Sequence, residues 1–335
     1  MADTKVVCYG IGAIGRQMAE ALLAKKWVKI VGAIDIDPNK VGKDLGELIG
    51  QKPIGVVVSN EVDKVLSATK PDIVVHTTLS YLKDTYPQFE QILKHGVDIV
   101  STCEELSYPY VTEEQKALAK KLDKLAKEKD ATILGTGINP GFLMDTLAIT
   151  LTGPCIKVNS VKVARQMNAA TRRIPFQKKI GAGLTVEEFK KKIASKEISG
   201  HVGLEQSIAM TGDALGWKLS EIKVGEVEPV VAQKAVQSDA IKVPKGYCAG
   251  LKQIAYGMKD GKALVTLDFR AYIGAEEEYD AVTIDGVPPI NEKISPCTHG
   301  DYGTIGMTIN SIPKVINAAS GLKTMKDLPV PSATP

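Results

Sequence analysis

Two adjacent carboxylates, Glu104 and Glu105, stand directly after a short apolar run that is typical of a buried strand. A carboxylate in a cleft can take up and release protons, and it can stabilise a cationic iminium during hydride transfer. The same pair would also suit the first turn of a solvated helix, near the positive end of its dipole. Strand alternation would send the two side chains to opposite sides, so one of them faces a cleft. Cys103 is a weaker candidate nucleophile, because no histidine base stands near it.

A glycine-rich loop near residue 10 has the spacing of a dinucleotide-binding motif. The loop contains Gly10, Gly12, Ala13, Ile14 and Gly15, in the order Gly-Ile-Gly-Ala-Ile-Gly. In such a loop the first glycine permits a tight turn, the second lets the backbone approach a pyrophosphate, and the third lets helix and strand pack closely. The free N–H groups of the following helix would then face the phosphates.

An acidic residue, Asp35, ends the second predicted strand about twenty positions beyond the glycine loop, as the motif requires. Its carboxylate suits the ribose hydroxyls of the adenosine, and this favours NAD because a 2′-phosphate would meet a like charge. Lys40 and Lys43 follow closely and weaken that preference. We therefore expect either NAD or NADP as the cofactor.

Alternating β-branched runs and helical patterns place these motifs on a parallel sheet that is covered on both faces. The predicted strands are residues 5–9, 28–34, 56–58, 73–76, 99–102 and 132–134, and the predicted helices are residues 13–24, 62–68, 84–93 and 112–127. Thr112 and Gln115 have the spacing of a capping box at the last helix.

The loop after the strand predicted at 73–76 is expected beside the nicotinamide ribose, because ligands of doubly wound sheets bind at the carboxyl ends of the strands. Thr77 and Thr78 are its candidate cofactor contacts. His76 stands at the end of the strand, where a hydrogen-bonded core histidine and a cofactor contact are equally good interpretations.

The pattern changes after Gly137. Residues 138–145 are expected to form a turn into a helix, with Pro140 near the first turn of that helix. The later strands alternate apolar and polar residues, which indicates a largely antiparallel sheet with one packed face. These strands are predicted near 157–163 and at 224–231, 263–271 and 279–284, and helices at 185–195, 203–215 and 303–319.

The predicted fold class is therefore α/β, with a Rossmann doubly wound parallel sheet and an α+β substrate domain that has a largely antiparallel sheet. Residues 1–140 are expected to form the dinucleotide-binding domain and residues 141–300 the substrate and dimerisation domain. Residues 301–335 would form a C-terminal helix and tail that pack back on the first domain.

The composition excludes several classes of protein. The 335 residues carry 42 Lys and Arg against 39 Asp and Glu, a formal net charge of +3, and aromatic residues make up 5%. These values predict neither nucleic-acid binding nor disorder. The five cysteines form no metal-binding or disulfide spacing, and no apolar run is long enough to cross a bilayer. We expect a cytoplasmic protein, with no membrane partner and no metal.

Three segments together resemble a known family. They are GIGAIG with its downstream acid, STCEELSYP after the fifth strand, and GTGINPGFLMD at the hinge. They are similar to 2,4-diaminopentanoate dehydrogenases and native amine dehydrogenases, which belong to a broader group that resembles dihydrodipicolinate reductase. The resemblance implies that an amine-bearing carbon is oxidised with NAD(P), releasing ammonia and a ketone, or that the reverse reaction takes place. It implies a catalytic role for Glu104, with Glu105 as the alternative, and a contact from Asn139 to the nicotinamide amide or the substrate.

The resemblance also implies a set of substrate contacts in the second half of the chain. Arg165 would pair with a substrate carboxylate, Asn168 would assist it, and Thr304 would close the pocket. Family members that recognise an amino acid also use a histidine on a strand of the substrate domain. Here the segment 268–270, Asp-Phe-Arg, occupies that kind of position. The departure keeps simple amines open as substrates beside diamino acids.

Two other functions are compatible with the sequence. A dihydrodipicolinate-reductase-like imine reductase would need a His/Lys pair for its dicarboxylate, which the sequence lacks at the equivalent loop. A sensor that binds NAD without chemistry would not need the Glu104–Glu105 pair. The expected partners are a small amine or ketone, ammonia and a second copy of this chain, since an exposed antiparallel face often forms a dimer interface.

Overall fold

The computed structural model of the protein describes residues 3–335. The chain forms two compact units. The first contains the chain up to Phe142 together with Gly300–Pro335, and the second contains Leu143–His299. The first unit is therefore built from two segments that are far apart in the sequence.

The first segment of the first unit alternates strands and helices. The strands are β1 (Thr4–Tyr9), β2 (Val28–Ile34), β3 (Val58–Ser59), β4 (Ile73–His76), β5 (Asp98–Ser101) and β6 (Thr132–Gly135). The helices are α1 (Ala13–Leu23), α2 (Leu45–Leu48), α3 (Val62–Thr69), α4 (Leu82–Lys94) and α5 (Glu113–Glu128), and a 3-10 turn lies at Glu105–Ser107. One of the two bonds of the predicted capping box of α5 is seen, because the Thr112 hydroxyl accepts a hydrogen bond from the N–H of Gln115.

The second unit begins with helices around one long strand and continues as a series of strands. Its helices are α6 (Thr146–Leu151), α7 (Ile174–Lys179), α8 (Val186–Ala194) and α9 (Leu204–Ala214). Its strands are β7 (Lys157–Asn168), β8 (Glu221–Val224), β9 (Glu228–Val231), β10 (Val236–Gln237), β11 (Lys242–Val243), β12 (Cys248–Lys259), β13 (Lys262–Tyr272), β14 (Tyr279–Val287) and β15 (Ile290–Ile294). The chain then returns to the first unit with α10 (Gly300–Ile316) and β16 (Gly321–Lys323).

The first unit has a seven-stranded sheet in the order β16-β6-β5-β4-β1-β2-β3, and every neighbouring pair is parallel. Its central strands are apolar on both faces, as Val6, Val7, Val74 and Val75 are all buried. The strand order reverses between β1 and β4, which is where open sheets of this kind bind ligands. The prediction of a Rossmann-type parallel sheet is confirmed.

The second unit has a seven-stranded sheet in the order β15-β14-β7-β13-β12-β8, with β9 also on β12. Only the pair β7 and β13 is parallel, so the predicted antiparallel character is confirmed. Along β7 the residues Val161, Val163 and Met167 are buried on one face, while Lys162 is exposed on the other. Helix α9 covers β12 and β13 on the buried side.

Several predicted boundaries were wrong. Residues 224–231 contain the end of β8 and the whole of β9, which pair with different parts of β12, and the N–H of Gly225 between them donates to Ile254 O. The expected turn into a helix is present, but it is long, since turns run from residue 139 to 145 and α6 begins at Thr146, six residues after Pro140. The last helix begins at Gly300 and ends at Ile316.

Candidate active site

The glycine loop between β1 and α1 is packed as a phosphate-binding loop. Gly10 has a φ of +94°, and an added Cβ would lie 2.7 Å from the carbonyl oxygen of Thr77. At Gly15 a Cβ would lie 1.8 Å from the carbonyl oxygen of Gly10. At Gly12, by contrast, no non-neighbouring atom in residues 3–335 lies within 4 Å of the Cβ position. Two glycines therefore permit close packing, and the third leaves open space in front of the helix.

The open space at Gly12 fits a pyrophosphate. Gly12 is the N-cap of α1 and has no side chain to satisfy the first-turn N–H groups, and that turn contains no acid. Backbone donors and the positive end of the helix dipole therefore favour an anion there. Ala13 and Ile14, which the motif places in the loop, form the first residues of α1. The residues at this end of the sheet thus fit a dinucleotide.

Asp35 joins the end of β2 to the glycine loop. One carboxylate oxygen accepts hydrogen bonds from the N–H of Ile11 at 2.6 Å and from Lys40 Nζ at 3.0 Å, and the other accepts from the N–H of Asp37 at 2.9 Å. Burial raises the pKa of Asp35, but the Asp37 N–H, the Lys40 ammonium and the Ile11 N–H outweigh it and hold the pKa below its ordinary value. The carboxylate is therefore ionised, with a cation beside it.

The loop after β4 supports the glycine loop directly. The Thr77 hydroxyl donates to the carbonyl oxygen of Gly10 at 2.7 Å, and the Thr77 N–H donates to Tyr9 O at 2.8 Å. Thr78 donates its hydroxyl to Gln88 Oε1 at 2.8 Å. Both threonines lie at the carboxyl end of β4, beside the point where the strand order reverses. Their contacts with a cofactor stay a prediction.

His76 is a hydrogen-bonded core histidine. Its Nδ1 lies 2.9 Å from Ser101 Oγ and its Nε2 lies 2.6 Å from Gln88 Oε1. Burial lowers the pKa of His76 to about 4, so the ring is neutral near pH 7. Of the two interpretations that the sequence left open, the geometry matches the core histidine.

Glu104 and Glu105 lie in a turn and not on a strand, because β5 ends at Ser101. The Glu105 carboxylate accepts a hydrogen bond from the N–H of Leu82 at 2.7 Å, and the Glu105 N–H donates to Ser80 O at 3.1 Å. The carbonyl oxygen of Glu104 accepts from the Ser107 hydroxyl at 2.7 Å. Strand alternation therefore does not apply to these two residues, and the expectation that one of them faces a cleft stays a prediction.

Cys103 is not an activated thiol. It is buried, and burial raises its pKa to about 12. Its Sγ donates a hydrogen bond to the carbonyl oxygen of Ser80 at 3.2 Å. The thiol is thus a packed, protonated group beside the two glutamates. Among residues 3–335 no cluster of His, Cys, Asp and Glu is arranged to hold a metal ion.

The turn that contains Asn139 is held by the start of α10. The Thr304 hydroxyl accepts a hydrogen bond from the N–H of Ile138 at 3.3 Å. At Gly141, φ is +128° and an added Cβ would lie 2.4 Å from the Gly137 nitrogen, so this turn is tightly folded. Thr304 is the fifth residue of α10 and belongs to the first unit. Its predicted contact with substrate, like that of Asn139, stays a prediction.

Arg165 lies on the buried face of β7 and is 2% exposed. Its Nη1 donates to Asp280 Oδ1 at 2.6 Å, and its Nη2 donates to Thr298 O at 2.5 Å. Asp280 Oδ2 in turn accepts from the Thr298 N–H at 2.8 Å. The guanidinium is therefore fixed by an internal carboxylate, with further N–H donors beyond these two bonds.

Asn168 caps backbone groups of its own unit. Its Oδ1 accepts hydrogen bonds from the N–H groups of Ala170 and Gly274, both at 3.1 Å. This side-chain oxygen shapes the turn after β7, so a contact between Asn168 and substrate would have to use the amide nitrogen. That contact stays a prediction.

One histidine in the second unit was not singled out from the sequence. His201 lies in the loop before α9 and stacks on Phe269 with ring centroids 4.4 Å apart. A lone histidine in a loop has no spacing signal, because its ring partner lies far along the chain on β13. Phe269 itself is in the segment where the resemblance led us to look for a histidine.

In residues 3–335 no helix has the length and apolar character that crossing a bilayer requires.

The phosphate loop, the parallel sheet and the separate α+β unit define a dinucleotide-binding dehydrogenase. Residues 4–134 match the family described as dihydrodipicolinate reductase, N-terminus. Residues 142–335 match the family described as 2,4-diaminopentanoate dehydrogenase C-terminal domain. The 2,4-diaminopentanoate dehydrogenase of Acetoanaerobium sticklandii is 38% identical over 341 residues, which cover 99% of this chain and 95% of that protein. The chain belongs to the 2,4-diaminopentanoate dehydrogenase family.

Two amine dehydrogenases are also similar over nearly the whole chain. That of Streptomyces virginiae is 21% identical over 351 residues, covering 97% of this chain and 96% of that protein. The solved structure of the amine dehydrogenase from Mycobacterium smegmatis has a TM-score of 0.83 at 30% identity, and covers 99% of this chain and 98% of that one. The fold of both units is therefore that of a known amine dehydrogenase.

Proposed function

We propose that this protein is an NAD(P)-dependent amine dehydrogenase that acts on a diamino acid of the 2,4-diaminopentanoate type. The bound cofactor would accept a hydride from the amine-bearing carbon. Water then adds to the resulting iminium and ammonia leaves, so that amine, water and NAD(P)⁺ give ketone, ammonia, NAD(P)H and a proton. The reverse direction is the reductive amination of the ketone. The likeness to the Acetoanaerobium sticklandii enzyme over 99% of the chain carries this proposal.

Glu104 is the proposed proton-transfer residue. It lies just after the carboxyl end of β5, the edge of a doubly wound sheet at which ligands bind. Its neighbour Glu105 accepts a hydrogen bond from the first N–H of α4, which indicates a structural role for Glu105. The carboxylate would stabilise the cationic iminium and take the proton of the attacking water.

Arg165 is the proposed anchor for the substrate carboxylate, with Asn168 assisting it. A guanidinium can serve two carboxylates at once, because it carries five N–H donors and the structure accounts for two bonds. Asn139 and Thr304 are proposed to line the reacting end of the substrate. Thr77, Thr78 and Asp35 are proposed to contact the cofactor.

An imine reductase of the dihydrodipicolinate reductase type is the alternative. It is less well supported, since the match to the dihydrodipicolinate reductase family model covers residues 4–134. The remaining residues, 142–335, match the diaminopentanoate dehydrogenase domain. The cofactor-binding residues 4–134 suit both reactions, and the match of residues 142–335 favours the amine dehydrogenase.

We also propose a cytoplasmic homodimer. The outer face of the second sheet supports the dimer, because Ala164, Ile254 and Tyr256 are only partly buried there. The widely spaced cysteines support a reducing compartment. Light scattering after gel filtration measures the mass, and a mass of one chain at working concentration would remove the dimer from the proposal.

The activity is tested by mixing purified protein with NAD⁺ or NADP⁺ and a panel of amines that includes 2,4-diaminopentanoate. Formation of the reduced nicotinamide is followed by its absorbance, and ammonia release is measured in the same sample. The reverse reaction is tested with matching ketones and ammonium. Reduced cofactor and ammonia in equal amounts are expected. If the protein binds the cofactor but shows no activity in either direction, the proposal is refuted.

A further inference from the structure

Four directly opposed residues, three of them polar, form a row across the buried face of the second sheet. In the strand register, Asp280 on β14 is opposite Arg165 on β7, Arg165 is opposite Phe269 on β13, and Phe269 is opposite Gln253 on β12. Directly opposed residues point to the same face of a sheet, so these four side chains share the face that carries the apolar core. All four are at most 8% exposed.

His201 covers this row at Phe269 and Gln253. Its ring is nearly parallel to that of Phe269, with 8° between the planes. Its backbone N–H donates to Gln253 Oε1 at 3.0 Å, and the adjacent Gly200 leaves only 2.2 Å between a Cβ position and the same oxygen. The loop is thus packed directly on the sheet, and the stacking fixes the plane in which the imidazole nitrogens lie.

The Nε2 atom of His201 is buried and has no hydrogen-bond partner within residues 3–335, although other parts of the residue keep partial exposure. Buried polar atoms are nearly always hydrogen-bonded, because an unpaired one loses its hydration and gains nothing in return. An unpaired nitrogen beside this row, which contains Arg165 and Asp280, therefore points to a ligand that supplies the missing hydrogen-bond partner.

The surroundings of His201 select the charge of that ligand. Burial, together with the positive charges of Arg165 and Lys179, lowers the pKa of His201 to about 3. The ring is thus neutral, and its Nε2 can carry the proton and donate. The nearby cations disfavour a substrate ammonium and favour an anion.

We propose that Nε2 of His201 donates a hydrogen bond to the carboxylate of the substrate, next to the guanidinium of Arg165. The assignment rests on the proposed function, in that the ligand is an amine whose carboxylate lies away from the reacting carbon. His201 would make the enzyme selective for an amino acid over a simple amine. The imidazole of His201 lies in the loop before α9, and it stacks on Phe269 of β13, which is opposite Arg165 in the sheet.

Three amines with the same reacting carbon separate the contribution of the substrate carboxylate from that of the α-amino group. They are 2,4-diaminopentanoate, 4-aminopentanoate, which lacks only the α-amino group, and 1,3-diaminobutane, which lacks only the carboxylate. The measured quantity is the kcat/KM of each carboxylate-bearing amine divided by that of 1,3-diaminobutane. His201→Leu is expected to lower both ratios at least about tenfold, mainly through KM, as expected for a lost hydrogen bond to a charged group.

Two further variants separate recognition from folding. His201→Gln replaces the imidazole with an amide N–H donor and is expected to recover part of the ratio. The control is His95→Leu, at the partly exposed C-cap of α4 beside Asp63, which should leave the ratios as in the wild type. The midpoint of thermal unfolding should not fall in His201→Leu, since the variant removes an unpaired buried nitrogen. Equal losses of kcat/KM for all three amines would show a structural role and overturn the inference.

A binding measurement decides the inference even without turnover. Protein with ¹⁵N-labelled histidine and bound NADH is titrated with 4-aminopentanoate, and the Nε2 resonance missing from the His201→Gln spectrum is followed. It is expected to shift to saturation, and the His95 resonance to stay in place. A protein that oxidises 4-aminopentanoate without this shift would disprove the role of His201 alone. A protein that shows the shift but oxidises no amine would disprove the proposed function alone.

Discussion

The Glu105 carboxylate accepts a hydrogen bond from the backbone N–H of Leu82 at 2.7 Å, and Leu82 is the first residue of α4. The N-cap of that helix, Tyr81, makes no side-chain cap within the described chain, so Glu105 performs the capping from a distant segment. A carboxylate in this position is stabilised by the backbone donor and the helix dipole. Glu105 thus has a structural contact, while a catalytic role is proposed for Glu104, and variants of the two residues can separate these roles.

Glu104→Gln is expected to lower kcat by about 10²–10⁴-fold, because an amide cannot exchange protons with water or amine. Binding of NADH should stay close to that of the wild type, as Glu104 is not part of the glycine loop. Steady-state kinetics and fluorescence titration of NADH give the two values.

Glu105→Gln is the matched control for Glu104→Gln. Its amide oxygen still accepts from Leu82 but without the charge, so the free energy of unfolding should fall by about 0.3–1 kcal/mol. The kcat per folded molecule should stay close to that of the wild type. An inactive Glu105→Gln beside an active Glu104→Gln would reverse the assignment of the two acids.

Gly12→Ala is expected to weaken NADH binding at least about tenfold while changing the free energy of unfolding by less than about 1 kcal/mol. The reason is that its Cβ meets no non-neighbouring atom in the described residues and enters the space proposed for the pyrophosphate. Calorimetric titration and chemical denaturation measure the two quantities.

Gly15→Ala is the contrasting variant, since its Cβ would collide with Gly10 O at 1.8 Å. It should unfold more easily, by about 1–3 kcal/mol, whether or not cofactor is present. Tight NADH binding by Gly12→Ala would show that the pyrophosphate lies elsewhere.

Sequence patterns predicted the central strands well for a physical reason. The runs Val28–Ile34 and Ile73–His76 have the bounds that were predicted. Ile73–His76 is buried along its whole length, which is typical of a central strand. Val28–Ile34 is rich in Val and Ile, and these residues indicate a strand although Lys29 among them is exposed. Strand β12 was missed, since Gly250 and Gly257 interrupt its pattern. Gly250 is required by packing, as a Cβ there would lie 2.1 Å from Ala271 O. That requirement comes from a neighbouring strand and is invisible in the local sequence.

The candidate site divides in the same way. The glycine loop and Asp35 follow each other at fixed spacing on adjacent elements, so the sequence reveals them. The pairing of Arg165 with Asp280 and the stacking of His201 on Phe269 join residues far apart in the chain. The register of the second sheet joins Arg165 to Asp280, and the packing of the loop before α9 on that sheet joins His201 to Phe269. Single-sequence patterns cannot show either contact.

Lys40→Ser is expected to shift the cofactor preference toward NAD⁺. The ammonium lies 3.0 Å from the Asp35 carboxylate, and without it the carboxylate would repel the 2′-phosphate of NADP⁺. The ratio of kcat/KM for NADP⁺ to that for NAD⁺ should fall by about tenfold. Lys43→Ser, an exposed neighbour, is the control, and equal ratios in both variants would exclude Lys40 from cofactor selection.

Stability is expected to fall in acid partly because of His76. The pKa is about 4 in the folded protein against the ordinary 6.5, so the unfolded chain binds the proton first as the pH falls. The free energy of unfolding should therefore decrease from about pH 6.5 downward and lose about 3 kcal/mol by pH 4. Urea titrations of wild type and His76→Asn at pH 7.5 and 5.0 test this, and equal losses in both proteins would contradict it.

Asp280→Ala is expected to lower the free energy of unfolding by about 3–5 kcal/mol, since it leaves the Arg165 guanidinium buried without its carboxylate. Both partners are nearly inaccessible, at 2% and 3% exposure, and Asp280 also accepts the Thr298 N–H. Asp285→Ala on the same strand is exposed and should change the free energy of unfolding by no more than about 0.5 kcal/mol. Urea denaturation at pH 7 measures the free energy of unfolding of both variants.

The same variant tests whether Arg165 anchors the substrate. Because a substrate carboxylate would replace part of the missing charge, 4-aminopentanoate should stabilise Asp280→Ala more than wild type. An equal stabilisation of both would argue against the guanidinium as the anchor.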